Sequence, residues 1–144
     1  MTDPTPTPLV ATVRVRTYEL DSFAHVNNAE YLHYCEDART QFFAQMGLAF
    51  SDLRAHAVQL VIVEARLRFL KSAGAGDTLT IRGRFREVRA ASAWIDYRMT
   101  REGGGEIVCE AETKGAFLDA VTLRPCRAPA LFREAFLRFG VDGL

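Results

Sequence analysis

Hydrophobic and polar residues alternate at the start of the chain and again through most of its second half. From Leu9 the run LVATVRVRTY sets apolar side chains against arginines with a period of two, which is typical of a strand with one solvated face. Four more β-rich runs are divided by KSAGAGD, RAA and EGGGE; they span 59–70, 77–88, 92–101 and 106–120. The pattern therefore predicts five strands.

A helical period separates the first strand from the other four. One apolar stripe predicts a helix over 29–46 that ends before a glycine; its members are Tyr31, Cys35, Ala38, Phe42 and Met46. Asn27 or Asn28 is expected to cap the start of this helix, because an asparagine side chain accepts hydrogen bonds from first-turn N–H groups. A second amphipathic stretch predicts a short helix over 128–140.

One long helix is available to cover one face of five strands. The economical packing is an α+β architecture in which an antiparallel five-stranded sheet wraps around that helix, with a short C-terminal helix. Residues 1–8 are rich in proline and threonine and are expected to form a flexible tail. The length of 144 residues agrees with a single domain, which we place at 9–144.

Charge and composition narrow the function classes. The 18 basic and 18 acidic residues balance, so no net field favours nucleic acid or an anionic membrane as a partner. No window approaches the roughly 18 apolar residues that span a bilayer, and the first residues lack the pattern of a secretory signal. Three widely spaced cysteines are typical of reduced thiols. We therefore expect a cytoplasmic protein.

Polar side chains concentrate in YELDSFAHVNNAEYL, residues 18–32, where the first strand gives way to the long helix. The first turn of a helix presents unpaired N–H groups and the positive end of its dipole, which suit a developing oxyanion. Residues 25–29 would supply those N–H groups, and Asp21 would supply a base or nucleophile. This pairing is the minimum equipment for hydrolysing an acyl bond, although Asp21 could also serve only as a turn residue.

The run YELDSFAHVNNAEYLHYCEDARTQFF resembles the signature of the hotdog-fold thioesterases of the 4-hydroxybenzoyl-CoA thioesterase family. The later run VIVEARLRFLKSAGAGD is similar to the second strand of that family and the turn after it. The resemblance covers about 13–118 and implies a hotdog domain that hydrolyses an acyl- or aroyl-CoA to free acid and coenzyme A. It implies no separate cofactor, because coenzyme A is part of the substrate. It also implies a homo-oligomer, a dimer or a dimer of dimers, with active sites where two sheets join edge to edge.

The resemblance assigns roles to the loop and the helix start. Asp21 falls on the position of the catalytic carboxylate, which acts as nucleophile or as general base. The backbone at Asn27, Asn28 and Ala29 falls on the helix start that polarises the thioester oxygen. These residues are the expected catalytic and oxyanion groups.

Three neighbouring positions carry weaker implications. Tyr31 matches an aromatic residue that lines the acyl pocket. His25 falls on a variable position and is interpreted as loop-shaping or substrate-contacting before catalytic. Ala24 stands where members of the family often have glycine, so this loop is expected to be slightly less open.

Further candidates lie outside the loop. Glu64 is either an outward residue of an alternating strand or a polar group in the substrate channel at the dimer interface. Lys71 and Arg89 stand at predicted strand ends and are candidates for binding the phosphates of coenzyme A, since cationic side chains bind phosphate. No metal site is predicted, because Asp21, His25 and His33 lack suitable ligand spacing.

Two alternative functions stay open. A hotdog enoyl-CoA hydratase would fit the fold, but its motif has Asp and His five residues apart, whereas Asp21 and His25 are four apart. A non-catalytic hotdog protein that binds acyl-CoA would also fit, although retention of Asp21 disfavours it.

Overall fold

The long helix and the five strands that the sequence predicts are present. The bounds of the helix and of the last four strands differ from the prediction by at most two residues, whereas the first strand ends at Arg14, before the end of the run LVATVRVRTY. The computed structural model describes residues 8–139 and 144, so the predicted tail, apart from Pro8, lies outside the described residues. The elements are β1 (Leu9–Arg14), a 3-10 turn (Thr17–Glu19), α1 (Glu30–Gln45), α2 (Phe50–Ala55), β2 (Val58–Phe69), β3 (Thr78–Arg86), β4 (Ser92–Arg101), β5 (Ile107–Asp119) and α3 (Ala130–Arg138).

The strands form one antiparallel sheet in the order β1-β3-β4-β5-β2. Helix α1 buries its apolar stripe against the inner face of this sheet; its buried residues are Tyr31, Tyr34, Cys35, Ala38, Phe42 and Phe43. A Cβ atom at Gly83 of β3 would overlap the Phe42 ring, so only glycine permits this close approach of helix and sheet. A sheet wrapped around one helix confirms the predicted hotdog architecture.

The predicted C-terminal helix is confirmed and completes the core at one end of the sheet. The rings of Phe85 and Phe136 stack with centroids 4.1 Å apart, and Phe132 meets Phe43 edge to face at 6.0 Å. Aromatic pairs in these geometries add about 0.5–1.5 kcal/mol each beyond the area that they bury. Helix α3 is therefore part of the hydrophobic core rather than an appendage.

Helix α2 is absent from the sequence prediction. Leu53 is its one buried side chain, so its six residues show almost no helical period. An Asp52 carboxylate oxygen accepts the Ala49 N–H at 3.0 Å and caps the helix start. A helix held mainly by its cap leaves little hydrophobic signal in the sequence.

The free edge of β1 is covered by two glutamines of α1. Gln41 accepts the Thr12 N–H at 3.1 Å and donates to the Thr12 carbonyl at 3.0 Å. Gln45 makes the same pair of hydrogen bonds with Val10, accepting its N–H at 3.2 Å. Each amide therefore takes the place that a residue of a neighbouring strand would occupy, and the outward backbone groups of Val10 and Thr12 are satisfied.

The opposite edge, β2, is open in the single chain. Its exposed apolar side chains include Ile62, Val63 and Phe69, with Val63 56% exposed. A β-bulge between Ile62 and Glu64 shifts the register against β5. The regular alternation expected around Glu64 would place Val61 and Ala65 together on the opposite face; this expectation is wrong, because the extra residue at the bulge reverses the alternation and puts them on different faces.

Candidate active site

The loop after β1 is closed by its own backbone hydrogen bonds. Leu20 and Val26 form an antiparallel bridge, and the Asp21 N–H donates to the His25 carbonyl at 2.7 Å. Ala24 adopts φ +60°, the left-handed conformation that glycine adopts without strain. The glycine expected here by resemblance is thus replaced by alanine without loss of the tight turn.

The Asp21 carboxylate divides its two oxygens between two tasks. Oδ1 accepts the N–H groups of Phe23 at 2.8 Å and of His25 at 3.1 Å, which holds the loop in shape. Oδ2 has no hydrogen-bond partner within residues 8–139, and the side chain is exposed. One oxygen is therefore committed to structure and the other is available to a substrate or a water molecule.

The three N–H groups expected at the helix start differ in availability. The Asn27 N–H donates to the Glu19 carbonyl at 2.9 Å, and the Ala29 N–H donates to the Asn27 side-chain oxygen at 3.0 Å. The Asn28 N–H has no acceptor in the described part of the chain. Asn28 therefore presents the free donor of this set.

The expected asparagine cap is displaced from the helix start. Helix α1 begins at Glu30 with Ala29 as its N-cap residue, and the Asn27 side chain accepts a hydrogen bond one residue before the helix. Asn28 makes no side-chain cap. The prediction of Asn27 or Asn28 as N-cap is wrong by one or two residues, because Asn27 folds back on its own loop in a local turn.

Asp21 and Asn28 line the same cleft, which has a volume of about 250 Å³. The cleft lies between the loop, the start of α1 and the segment after β2; its lining residues are Asp21, His25, Val26, Asn28, Tyr31, Phe69, Leu70, Lys71 and Ser72. The structure thus brings together five of the predicted site residues. Asn27 and Ala29 shape the adjoining backbone but do not line the cleft.

Tyr31 forms the apolar floor of the cleft with Phe69. The centroids of the two rings lie 5.5 Å apart, and Tyr31 is buried. Burial raises the pKa of the Tyr31 phenol to about 12, so this hydroxyl stays protonated at neutral pH. The floor therefore offers an aromatic surface without a negative charge.

Glu64 and Arg89 lie away from the cleft of the single chain. Glu64 follows the bulge of β2 and pairs in register with Lys114, on the sheet face opposite α1. Arg89 is exposed in the turn between β3 and β4, whereas the cleft adjoins the other end of β3. Their roles in the substrate channel and in phosphate binding stay predictions.

A buried carboxylate that the sequence interpretation overlooked supports the loop. Glu19 is 4% exposed; it accepts the Tyr34 hydroxyl at 3.1 Å and the Arg16 N–H at 2.8 Å. Burial and this carboxylate raise the pKa of Tyr34. The signal in the sequence is weak, since a glutamate beside a turn is usually solvated.

Arg101 supports the opposite wall of the cleft. One guanidinium nitrogen donates to the Ser72 carbonyl, and another lies 3.4 Å from Asp77, whose carboxylate accepts the Gly74 N–H at 2.9 Å. The Val26 N–H donates to the Ala73 carbonyl at 2.8 Å and joins the two walls. Both sides of the cleft are thus held by hydrogen bonds.

Other candidate chemistry is limited. Cys35 is buried, as predicted, and desolvation raises the pKa of its thiol to about 12, which makes it a poor nucleophile. The described residues contain no group of three or more His, Cys, Asp or Glu side chains placed to hold a metal ion. None of their helices combines the length and apolar character needed to cross a bilayer.

Comparisons with known proteins agree on one family. Residues 15–136 match the Thioesterase-like superfamily. The long-chain acyl-CoA thioesterase FadM of Escherichia coli (strain K12) is 30% identical over 126 residues, which cover 85% of this chain and 92% of that protein. The chloroplastic acyl-acyl carrier protein thioesterase ATL3 of Arabidopsis thaliana is 32% identical over 127 residues, or 88% of this chain, but the chain spans 66% of its length.

A solved structure shows the same fold at lower identity. The protein SAV2348 from Staphylococcus aureus, in complex with CoA, superposes with a TM-score of 0.89 at 17% identity, over 99% of this chain and 92% of that chain. The family match covers the loop, the long helix and the strands β2 to β5, and it begins directly after β1. The chain therefore belongs to the thioesterase-like superfamily, as the resemblance of its loop and helix predicted.

Proposed function

We propose that this protein is a thioesterase that hydrolyses acyl-CoA to a free acid and coenzyme A. One observation carries the proposal: Asp21, whose Oδ2 has no hydrogen-bond partner among the described residues, and Asn28, whose N–H has none there either, line the same cleft. A carboxylate and an oxyanion donor are the groups that acyl transfer requires. Its relatives FadM and ATL3 are named thioesterases of acyl-CoA and of acyl-acyl carrier protein.

The proposed reaction uses both groups on one carbonyl. The thioester oxygen accepts the Asn28 N–H, which stabilises the negative charge that develops when the carbonyl is attacked. Asp21 Oδ2 either attacks the carbonyl carbon, which forms a mixed anhydride that water then hydrolyses, or removes a proton from the attacking water. In both cases the bond to sulfur breaks and coenzyme A leaves as the thiolate. A positioned base contributes about 10²–10⁴-fold and one oxyanion donor about 10²–10³-fold. Those factors suffice for an already activated thioester.

Neighbouring residues have supporting roles in this proposal. Tyr31 and Phe69 bind the first carbons of the acyl group on the floor of the cleft. Lys71 at the rim attracts the phosphates of coenzyme A. His25 contacts the substrate beside Asp21 rather than relaying a proton, because Oδ1 of Asp21 bonds the His25 backbone and not its ring.

We also propose that the active form is a dimer joined through β2. That edge is open and exposes Ile62 and Val63, whereas Gln41 and Gln45 occupy the free edge of β1. Two β2 strands related by a two-fold axis would extend the sheet and cover the exposed Ile62 and Val63. Glu64 would then lie near the dimer interface.

The test is a panel of CoA thioesters with short, long and aromatic acyl groups. Release of the free thiol is measured for the wild type and for Asp21→Ala, and thermal unfolding shows that the variant is folded. We expect turnover of at least one member by the wild type and a loss of at least about 10²-fold in the variant. Binding without turnover across the whole panel would instead indicate the non-catalytic acyl-CoA-binding protein.

A further inference from the structure

A chain of three polar side chains crosses the apolar interface between α1 and the sheet. Arg39, in the middle of α1, donates from Nη1 to the Tyr97 hydroxyl at 3.0 Å, and that hydroxyl lies 3.0 Å from Thr113 Oγ1. Tyr97 and Thr113 are each 1% exposed. Buried hydroxyl groups are costly unless they are hydrogen-bonded, so the Tyr97 hydroxyl needs its bonds to Arg39 and Thr113. These hydrogen bonds hold the Arg39 guanidinium in one place.

The guanidinium of Arg39 is not neutralised by a neighbouring acid. No carboxylate lies within 4 Å of it among residues 8–139, although Glu36 stands one turn earlier on the same helix. An arginine has five N–H donors, and the described side chains and backbone account for one of them. Arg39 therefore keeps most of its hydrogen-bonding capacity for another molecule.

Arg39 forms one wall of a pocket whose volume is about 240 Å³. Its other lining residues are mostly apolar; the set is Glu36, Arg39, Phe43, Phe50, Leu60 and Ile62. Arg39 is partly buried beside four apolar side chains and held by Tyr97, so it is a positioned donor that is partly shielded from solvent. Such a donor binds an oxygen acceptor more strongly than it would in water.

The pocket and the catalytic cleft lie along the same side of the molecule, between α1 and the open strand β2. The cleft contains Tyr31 and Phe69 at one end, and the pocket contains Phe43 and Leu60 at the other. Arg39 follows Tyr31 by eight residues, which is about 12 Å along the helix at a rise of about 1.5 Å per residue. An acyl chain that starts in the cleft and lies along α1 would therefore need about 12 Å of extended length to bring its far end to Arg39.

We propose that Arg39 is a specificity-determining residue that binds an oxygen atom at the far end of the acyl group, a terminal hydroxyl or carboxylate. This inference rests on the proposed thioesterase function and names its substrate class. The apolar walls take the methylene chain, and the guanidinium takes the terminal oxygen. A plain hydrocarbon chain would cover the guanidinium without offering an acceptor, which is unfavourable.

The test compares thioesters of equal length: decanoyl-CoA and its ω-hydroxy and ω-carboxy counterparts. We expect the wild type to prefer the oxygenated substrates by at least about tenfold in kcat/KM, the range expected for a hydrogen bond to a charged donor. Arg39→Met should remove this preference by lowering kcat/KM for the oxygenated substrates, while decanoyl-CoA turns over as fast or faster.

Two further variants separate recognition from structure. Arg39→Lys keeps the charge and should keep part of the preference for the ω-carboxy substrate. Tyr97→Phe releases the guanidinium and should weaken the preference without abolishing hydrolysis of decanoyl-CoA. Equal kcat/KM of the wild type for all three substrates, or a parallel loss for all three in Arg39→Met, would overturn the inference. If the wild type cleaves no thioester at all, the proposed function fails instead.

Discussion

Replacing Asp21 by asparagine separates the chemical role of this side chain from its role in the loop. The asparagine Oδ1 can accept the N–H groups of Phe23 and His25 as the carboxylate does. The amide nitrogen then takes the place of Oδ2, and it can neither attack a carbonyl nor accept a proton. Asp21→Ala lacks both the reactive oxygen and the acceptor that shapes the loop.

Asp21→Asn and Asp21→Ala are expected to differ in their free energies of unfolding rather than in their kcat values. Loss of a positioned base corresponds to about 10²–10⁴-fold in kcat, or about 2.7–5.4 kcal/mol of transition-state stabilisation. Asp21→Asn should leave the free energy of unfolding within about 0.5 kcal/mol of the wild type. Asp21→Ala removes two hydrogen bonds and should cost about 1–2 kcal/mol.

The assay is thiol release from acyl-CoA at saturating substrate, paired with urea unfolding of the same preparations. Asp52→Asn is the matched control, because its carboxylate also accepts a backbone N–H, that of Ala49 at 3.0 Å, but lies in α2 outside the cleft. This control should keep wild-type turnover. A kcat for Asp21→Asn within threefold of the wild type would refute a base or nucleophile at this position.

Three further predictions follow from the loop and from the open edge. Asn28→Pro removes the free N–H and should lower kcat about 10²–10³-fold, whereas Asn28→Ala retains it and should keep most of the activity; equal activities would exclude this oxyanion donor. Ala24→Gly should raise the free energy of unfolding in urea by about 0.5–1 kcal/mol. Glycine relieves the strain of the left-handed conformation, and the greater entropy of the unfolded chain offsets part of that gain. Ala44→Gly, in the exposed part of α1, should lower it by about 1 kcal/mol. Val63→Lys places a charge on the open edge of β2 and should shift the molar mass measured by light scattering from dimer to monomer; an unchanged dimer would place the interface elsewhere.

Elements with a strong hydrophobic period were predictable from the sequence, and features set by tertiary partners were not. Helix α1 and the strands β3 to β5 bury regular stripes, so their ends were predicted to within two residues. The bulge at Val63 exists only in relation to β5, and nothing in an apolar run marks where the extra residue falls. A period of two continued through this point therefore assigned Val61 to the wrong face.

The candidate site shows the same division. Residue types and spacing indicated Asp21 and the helix start, because both depend on local sequence. Which of the three N–H groups stays free of an acceptor depends on tertiary positions. The Glu19 carbonyl accepts the N–H of Asn27, and the side-chain oxygen of Asn27 accepts that of Ala29. Arg39 gave no signal, since a charged residue on a helix is ordinarily solvated, and its partner Tyr97 is distant in sequence.

The two glutamines of α1 that cover the edge of β1 limit how far the sheet can extend. An exposed strand at each end would let copies add indefinitely, as they do in fibres. Here Gln41 and Gln45 satisfy the outward backbone groups of Val10 and Thr12 from within the same chain. A second copy that joins through β2 therefore presents a terminated edge on each side. If copies pair through β2, as we propose, these two helical side chains would end the growth of the sheet after one partner has joined.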